Sequence, residues 1–478
     1  MKKNKIAFIL VTSLFFMWGF ITCMNDILIP FVKAVFELTR AQSMFIQMAF
    51  FGAYFLGSLL YFIISASAGD PIQKIGYKKG IIAGLILSAI GCLMLYPAAG
   101  AKIYGLFLTA LFVLGLGFTL LQIAANPYVA ILGPQQTASS RLNLAQGFNS
   151  FGTTIAPILG GYLVFHFFAL KGTPLLNQAG KIITMSDGKA ISALGVQLPY
   201  MIFAGIFAVL AIIFAFTKLP KYTDDTKVVP GLGALKHRHL FFGMFAIFFY
   251  VGGEVSIGSI MINYLDELMG YPEMIAKSFL ALYWGGLMIG RFLGAYTLGQ
   301  KQLKFKQIAI MCLISIVGFA IIYMAVYAES KLPLKLFTPF LLFIVANIMV
   351  FVLGKSNPSK TLALFAASVI ILLSATMLSK GEFAMWTIIS IGLFNSIMWS
   401  NIFTLAIREL GSYTSQASSL LVMMILGGAL LPPLTGWIAD LFGGYHYALF
   451  IPMIAYIYLT WYGISGSKKG IIKVFEKL

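Results

Sequence analysis

Charge is what this chain has least of. Only 10% of its 478 residues are charged, whereas a soluble domain carries about 25%. The acids number 15, and 60% of the chain is hydrophobic, which excludes a water-soluble globular fold. Strand-like alternation dominates no stretch, so an outer-membrane barrel is excluded as well. Cysteines are few: Cys23, Cys92 and Cys312 each sit in an apolar segment. They suit neither a disulfide framework nor a metal site and read as small core residues. The histidines His166, His237, His239 and His446 are scattered without ligand spacing, so no metal is expected. There is no Walker loop, and hence no sign of ATP-driven pumping. No nucleophile–His–acid set shows by position, so neither an enzyme nor a cofactor is expected.

What the chain does have is apolar runs of about 20 residues, each long enough to cross a bilayer. They cover 6–35, 42–68, 77–98, 102–132, 142–170 and 197–217. After a polar stretch at 218–239, holding Pro220, Asp224, Asp225, Pro230, Lys236 and Arg238, they resume at 240–265, 275–299, 307–328, 335–354, 361–379, 383–407, 416–440 and 446–465. The pattern predicts an all-α polytopic membrane protein of about 14 helices: an N-terminal bundle over 1–217, a cytoplasmic linker over 218–239 and a C-terminal bundle over 240–478. Lys2, Lys3 and Lys5 before the first run imitate a signal peptide. That run continues too far and lacks a small-x-small cleavage site, so it reads as an uncleaved span.

The net charge of +18 could suggest a nucleic-acid partner. With the N-terminus cytoplasmic, however, most of the 33 Lys and Arg fall in inside segments. The positive-inside rule then accounts for the basic balance without nucleic acid. Both termini come out cytoplasmic, and 171–196 is the longest outside loop.

A faint repeat links the halves. Gly152, Pro157 and Gly160 precede Tyr162, and Gly428, Pro433 and Gly436 precede Trp437 with the same Gly-x4-Pro-x2-Gly spacing. Two homologous halves of a transporter would show this. The second half then has two surplus helices. The sequence-based choice is the pair at about 335–380, joined by Lys355-Ser356-Asn357-Pro358-Ser359-Lys360, which holds Asn347 and no acid.

Polar residues inside the runs are the functional candidates. Phe15-Phe16-Met17-Trp18-Gly19-Phe20-Ile21-Thr22-Cys23-Met24-Asn25-Asp26-Ile27-Leu28-Ile29-Pro30 carries one acid, Asp26. On a helix Trp18, Thr22, Asn25 and Asp26 share a face. A charged group at membrane depth costs several kcal/mol, so such a residue is a functional candidate, with a capping or packing Asp before Pro30 as the alternative. In the fourth run Gln122 and Asn126 stand at i, i+4 ahead of the helix-bending Pro127. In the fifth, Gln146 and Asn149 stand at i, i+3. Amides both donate and accept, which matches the vicinal hydroxyls of a sugar; interhelical hydrogen-bond glue is the alternative. Tyr250-Val251-Gly252-Gly253-Glu254-Val255-Ser256 brings a second intramembrane acid, with Asn263 near that run's outer end and Asn395 in the span 383–407. Arg291 reads as a structural charge near a cytoplasmic helix end, pairing with a loop.

These stretches resemble the major facilitator superfamily and, within it, the fucose:proton symporter family, most of all its bacterial glucose/galactose branch. The residues that carry the resemblance are Phe15 to Pro30, Gln122-Ile123-Ala124-Ala125-Asn126-Pro127, Arg141-Leu142-Asn143-Leu144-Ala145-Gln146, Asn149-Ser150-Phe151-Gly152 and Tyr250 to Ser259. The loop Gly69 to Lys79 looks like a degraded copy of the superfamily's Gly-x-x-x-Asp-Arg-x-Gly-Arg-Arg loop, with Gln73 in place of the Asp.

The resemblance implies two six-helix bundles, alternating access, Asp26 as the proton-taking acid, and Gln146 and Asn149 on the sugar. Trp18, Asn25, Gln122, Asn126, Asn263 and Asn395 complete the expected substrate set, with Glu254 as a second coupling candidate. Fucose transporters place a Glu where this chain has Gln122, which points to the glucose/galactose branch and leaves proton or sodium coupling open. Fucose, mannose or N-acetylglucosamine symport and solute export on the same fold are the competing readings. A membrane sugar sensor would need an output domain, and an embedded transferase a His–acid cluster. The expected partners are a small-molecule sugar and the bilayer, acting on a monomer. A reporter fused after Pro358 should read cytoplasmic; a periplasmic reading would overturn the span order.

Overall fold

The computed structural model describes residues 2–36, 38, 40–162, 173–176, 181–182, 184, 190, 192–220, 230–300 and 304–472. Within these, some helical side chains, Asn25 and Asp26 among them, lie outside what is described. Hydrocarbon offers the backbone no hydrogen-bond partner, so each apolar run closes its N–H and C=O groups on itself as a helix. The long helices are α1 (Lys2–Val35), α2 (Arg40–Ala68), α3 (Tyr77–Gly100), α4 (Tyr104–Ile131), α5 (Ala138–Tyr162), α6 (Leu194–Phe216), α7 (Arg238–Met269), α8 (Glu273–Thr297), α9 (Phe305–Ser330), α10 (Phe340–Gly354) and α11 (Pro358–Leu378). Then come α12 (Gly381–Asn395 continued by Met398–Ala406), α13 (Thr414–Met423 continued by Gly427–Phe442) and α14 (Phe450–Trp461). Among the described residues, 13 helices are long and apolar enough to span a membrane. The amide-rich α5 adds a further 25 residues, roughly 37 Å at 1.5 Å per residue.

Packing divides the chain into two compact units. One comprises Met1–Tyr128 and Phe151–Pro230, the other Val129–Ser150 and Gly231–Leu478. The first half of α5 thus belongs with the second unit, and the division at Pro230 falls in the polar stretch that reads as a linker.

In the first unit, a Cβ at Gly152 would collide with the Phe16 carbonyl oxygen, so α1 and α5 meet backbone to backbone. In the second, a Cβ at Gly427 would collide with the Phe248 carbonyl oxygen of α7. Gly428, the repeat's own first glycine, is next in sequence and its Cβ position lies 3.0 Å from the Val251 side chain of α7, so in both units the repeat's first glycine faces the first helix from the penultimate one. The loop before α3 is closed by Asp70, the N-cap of a short turn at Pro71–Ile75. Its carboxylate accepts from Tyr61 Oη at 2.7 Å, Ser65 Oγ at 3.3 Å and the Gln73 N–H at 3.1 Å.

In the second unit α12 is the core, buried from Ala384 through Ala406. It breaks at Ser396–Ile397, between its two helical pieces. α11 packs along α12 on one side and α14 on another. Thr376 and Thr387 hydroxyls meet at 2.8 Å, and Ser359 Oγ donates to the Gly463 carbonyl at 2.5 Å. α9 lies against α8, and α10 reaches α12 through buried Asn347, which donates to the Leu393 carbonyl at 3.1 Å. α14 ends in a π-helical turn, Tyr462–Gly466.

Candidate substrate and coupling site

The first unit brings Trp18, Gln122 and Asn126 into one neighbourhood. Trp18 on α1 donates its indole N–H to Tyr54 Oη on α2 at 3.2 Å, and Gln122 on α4 adjoins the same hydroxyl. One turn before Gln122, Phe118 meets the Trp18 ring edge-on at 6.3 Å. Asn126 turns its amide N–H back onto the Gln122 carbonyl at 3.1 Å. Both amides are buried, yet Gln122 Oε1, Asn126 Oδ1 and Thr22 Oγ1 find no partner among the described residues. Each buried acceptor left open costs about 1–3 kcal/mol. Three open acceptors around an indole form an arrangement that a hydroxyl-rich ligand can complete. Asn25 and Asp26 lie on the same stretch of α1, with side chains outside the described residues.

The second unit holds the other acid. Glu254 on α7 is buried, with its carboxylate beside the Tyr250 hydroxyl one turn earlier. Its backbone carbonyl accepts from Tyr283 Oη of α8 at 2.8 Å, and Tyr283 in turn accepts from Asn395 Nδ2 of α12 at 2.9 Å. Tyr456 of α14 adjoins Asn395, whose Oδ1 has no partner among the described residues. Asn263 stands apart, exposed near the end of α7, where it donates to Tyr445 Oη at 3.4 Å.

Arg291 differs from its sequence-based reading as a loop-pairing charge. It is buried in α8, and no ion pair to it occurs among the described residues. Its Nε donates to the Ser396 carbonyl at 3.2 Å, and Nη1 to Ser150 Oγ at 2.5 Å and the Gln146 carbonyl at 3.5 Å. The Ser396 carbonyl stands at the break in α12, which places it within reach of a side-chain donor.

The same face of α5 continues this polar seam. Ser139, Asn143, Gln146 and Ser150 recur at helical spacing. Ser139 meets the Thr404 hydroxyl at 2.6 Å, and Asn143 donates to Asn401 Oδ1 at 3.3 Å. Gln146 is buried and Asn149 half-buried on the length of α5 that Arg291 holds. Among the described residues no group of His, Cys, Asp or Glu is arranged to hold a metal.

Sequence reasoning missed the roles of Tyr54, Tyr250, Tyr283 and Tyr456, and gave Arg291 a loop partner in place of its buried ones. The i, i+4 spacing of Tyr250 and Glu254 was the only available signal, because a lone Tyr in an apolar run reads as packing.

The superfamily's sequence profile, Major Facilitator Superfamily, matches residues 7–360. The chain belongs to the major facilitator superfamily. It falls in the fucose:proton symporter family, on the glucose/galactose branch. The chain is 41% identical to the glucose/galactose transporter of Brucella abortus over 472 residues, covering 98% of this chain and 95% of that one. It is 31% identical to the L-fucose-proton symporter of Escherichia coli, covering 94% and 91%. The crystal structure of the Escherichia coli fucose:proton symporter superposes over 98% of this chain and 100% of that chain, at a TM-score of 0.72 and 29% identity.

Lysine cannot reach three acceptors in different directions from one planar fork. Arg291→Lys is therefore expected to lower stability by about 1–3 kcal/mol, read as a lower melting midpoint of detergent-solubilised protein. An unchanged midpoint would show that the three contacts carry no stability.

Proposed function

We propose that this protein is a secondary transporter that imports a hexose of the glucose or galactose type in symport with a proton, by alternating access. The observation that carries this reading is the pair of buried amides at Gln122 and Asn126, with open acceptor oxygens, beside the Trp18–Tyr54 hydrogen bond. The names of the similar transporters agree with it. A sugar presents an apolar ring face and a rim of hydroxyl donors; an indole suits the first and amide oxygens the second. Trp18, Asn25, Gln122, Asn126, Gln146, Asn149, Asn263 and Asn395 are the proposed substrate residues. Asp26 is the proposed proton carrier, with Glu254 as the second acid. The protein acts as a monomer in the bacterial inner membrane, both termini cytoplasmic.

The surplus helix pair is better read as α9–α10 than as the segment 335–380. In the first unit the third helix, α3, packs along the last, α6; Gln197 Nε2 of α6 donates to the Tyr96 carbonyl at 3.0 Å. In the second unit the helix packed along the last one in this way is α11, which makes α11 the counterpart of α3. Excision of 303–354 should leave a folded chain that still takes up sugar. A folded but inactive product would refute this reading.

One proton moving inward gains about 2.3 kcal/mol per 100 mV, enough for roughly 50-fold accumulation. Asp26→Asn imitates the permanently protonated form. In proteoliposomes it should abolish uphill hexose uptake under an imposed proton gradient while sparing sugar counterflow, which needs no net ion movement. Continued accumulation by the variant would refute the role of Asp26. Wild-type uptake driven by sodium alone would replace the proton with sodium.

A further inference from the structure

A groove of about 460 Å³ opens where α11 begins and α14 ends. Its polar end is formed by Asn357, Ser359, Lys360 and Thr460, and its apolar wall includes Leu364 and Ile464. We propose that this groove binds the headgroup of an anionic phospholipid. The inference is independent of the transported solute and requires only that the helices lie in a bilayer.

Three observations support it. First, the polar end is basic. Lys360 is in the lining, and the N-terminal end of α11 adds the positive pole of a helix. The floor is the π-turn of α14, bound through Ser359 to Ser467 Oγ at 3.1 Å. Arg238 donates to the Ser465 carbonyl at 2.8 Å and Arg408 to the Ser467 carbonyl at 3.3 Å, and exposed Lys468 follows. The acid near this turn, Glu409, is paired with Lys469.

Second, the groove continues along the span. Exposed Ile371 continues the line of Lys360, Leu364 and Ala367 on α11, and exposed Ile457 and Ile454 continue Ile464 on α14. On α11 this is the i, i+4, i+7, i+11 spacing of one helix face. A free phosphate would use only the polar end, whereas a phospholipid uses both ends.

Third, the floor is fixed without a ligand. Asn357 accepts from the Lys360 N–H at 3.0 Å, and Ser359 is held on the Gly463 carbonyl. The Lys360 side chain remains exposed and makes no ion pair among the described residues.

The test is native mass spectrometry of the detergent-purified full chain, titrated with phosphatidylglycerol or with phosphatidylcholine of the same acyl chains. Wild-type protein should retain one phosphatidylglycerol in preference to phosphatidylcholine. Lys360→Glu should weaken that retention by roughly tenfold or more, and Ala367→Phe, which fills the furrow without changing charge, should weaken it too. Lys380→Glu, beyond the other end of α11, should leave it unchanged. If Lys360→Glu does not fold, Lys360→Gln replaces it, with a smaller expected loss. Equal retention of both lipids, or unchanged retention in a folded Lys360 variant, would overturn the proposal. Complete displacement of phosphatidylglycerol by inorganic phosphate would also overturn it, marking a small-anion site instead.

Discussion

Arg291 carries a full charge into an apolar bundle, and the second unit is arranged around meeting its hydrogen bonds. A guanidinium taken out of water loses several kcal/mol of solvation and recovers it only where its donors are met. Here the acceptors are the Ser396 carbonyl, the Gln146 carbonyl and Ser150 Oγ. The first stands at a break in α12; the other two lie on the first half of α5. One side chain thus fixes a break in the most buried helix and the position of the helix that carries Gln146 and Asn149. Removing it would take these donors from two buried backbone carbonyls.

The contrast between Asp70 and Gln122 separates structural polarity from functional polarity. Asp70 is buried, but three donors engage its two oxygens, so it has nothing left to offer a ligand. Gln122, Asn126 and Asn395 each keep a buried oxygen without a partner. A membrane protein has no reason to retain such groups for stability, because an apolar residue of similar size would cost less. Interhelical glue consumes both ends of an amide, as at Asn401, which accepts from Asn143 Nδ2 and donates to the Pro358 carbonyl.

Most of the fold was legible because its cause is local. A run such as 240–265 must be helical in hydrocarbon whatever surrounds it, and the Gly-Pro-Gly spacing linked the two halves. The break at Ser396 was not legible, since neither Pro nor Gly marks it; the Ser396 carbonyl instead accepts from a guanidinium distant in sequence. Tyr54 and Tyr283 were hidden for the same reason: their hydroxyls matter only through partners on other helices. The sequence-based pair 335–380 and the proposed pair α9–α10 differ because α9, α10 and α11 are equally apolar in sequence. What distinguishes them is which neighbour each one packs against. Of the candidate site, the amides were found by composition alone, since a polar side chain in an apolar run stands out wherever it lies.

The replacement of an acid by Gln122 has a consequence for how the two tasks of a symporter divide. A carboxylate that binds sugar and also takes the proton couples the two directly, because its hydrogen-bonding character changes when it titrates. An amide cannot titrate. In the proposed assignment Gln122 and Asn126 stay neutral throughout the cycle, so sugar hydroxyls would meet the same acceptors whether or not a proton is aboard. Any coupling must then come from an acid elsewhere, through its effect on which conformation is favoured rather than on the contacts to the sugar. In the proposed assignment that acid is Asp26, on the same helix as Trp18 and two turns away. Glu254 is a poorer candidate for the same duty. Its helix is held by Tyr283, which donates to the Glu254 backbone carbonyl and accepts from Asn395 of the core helix α12. A carboxylate on a helix anchored in this way suits a fixed role in the second unit better than one that must gain and lose a proton in each turnover.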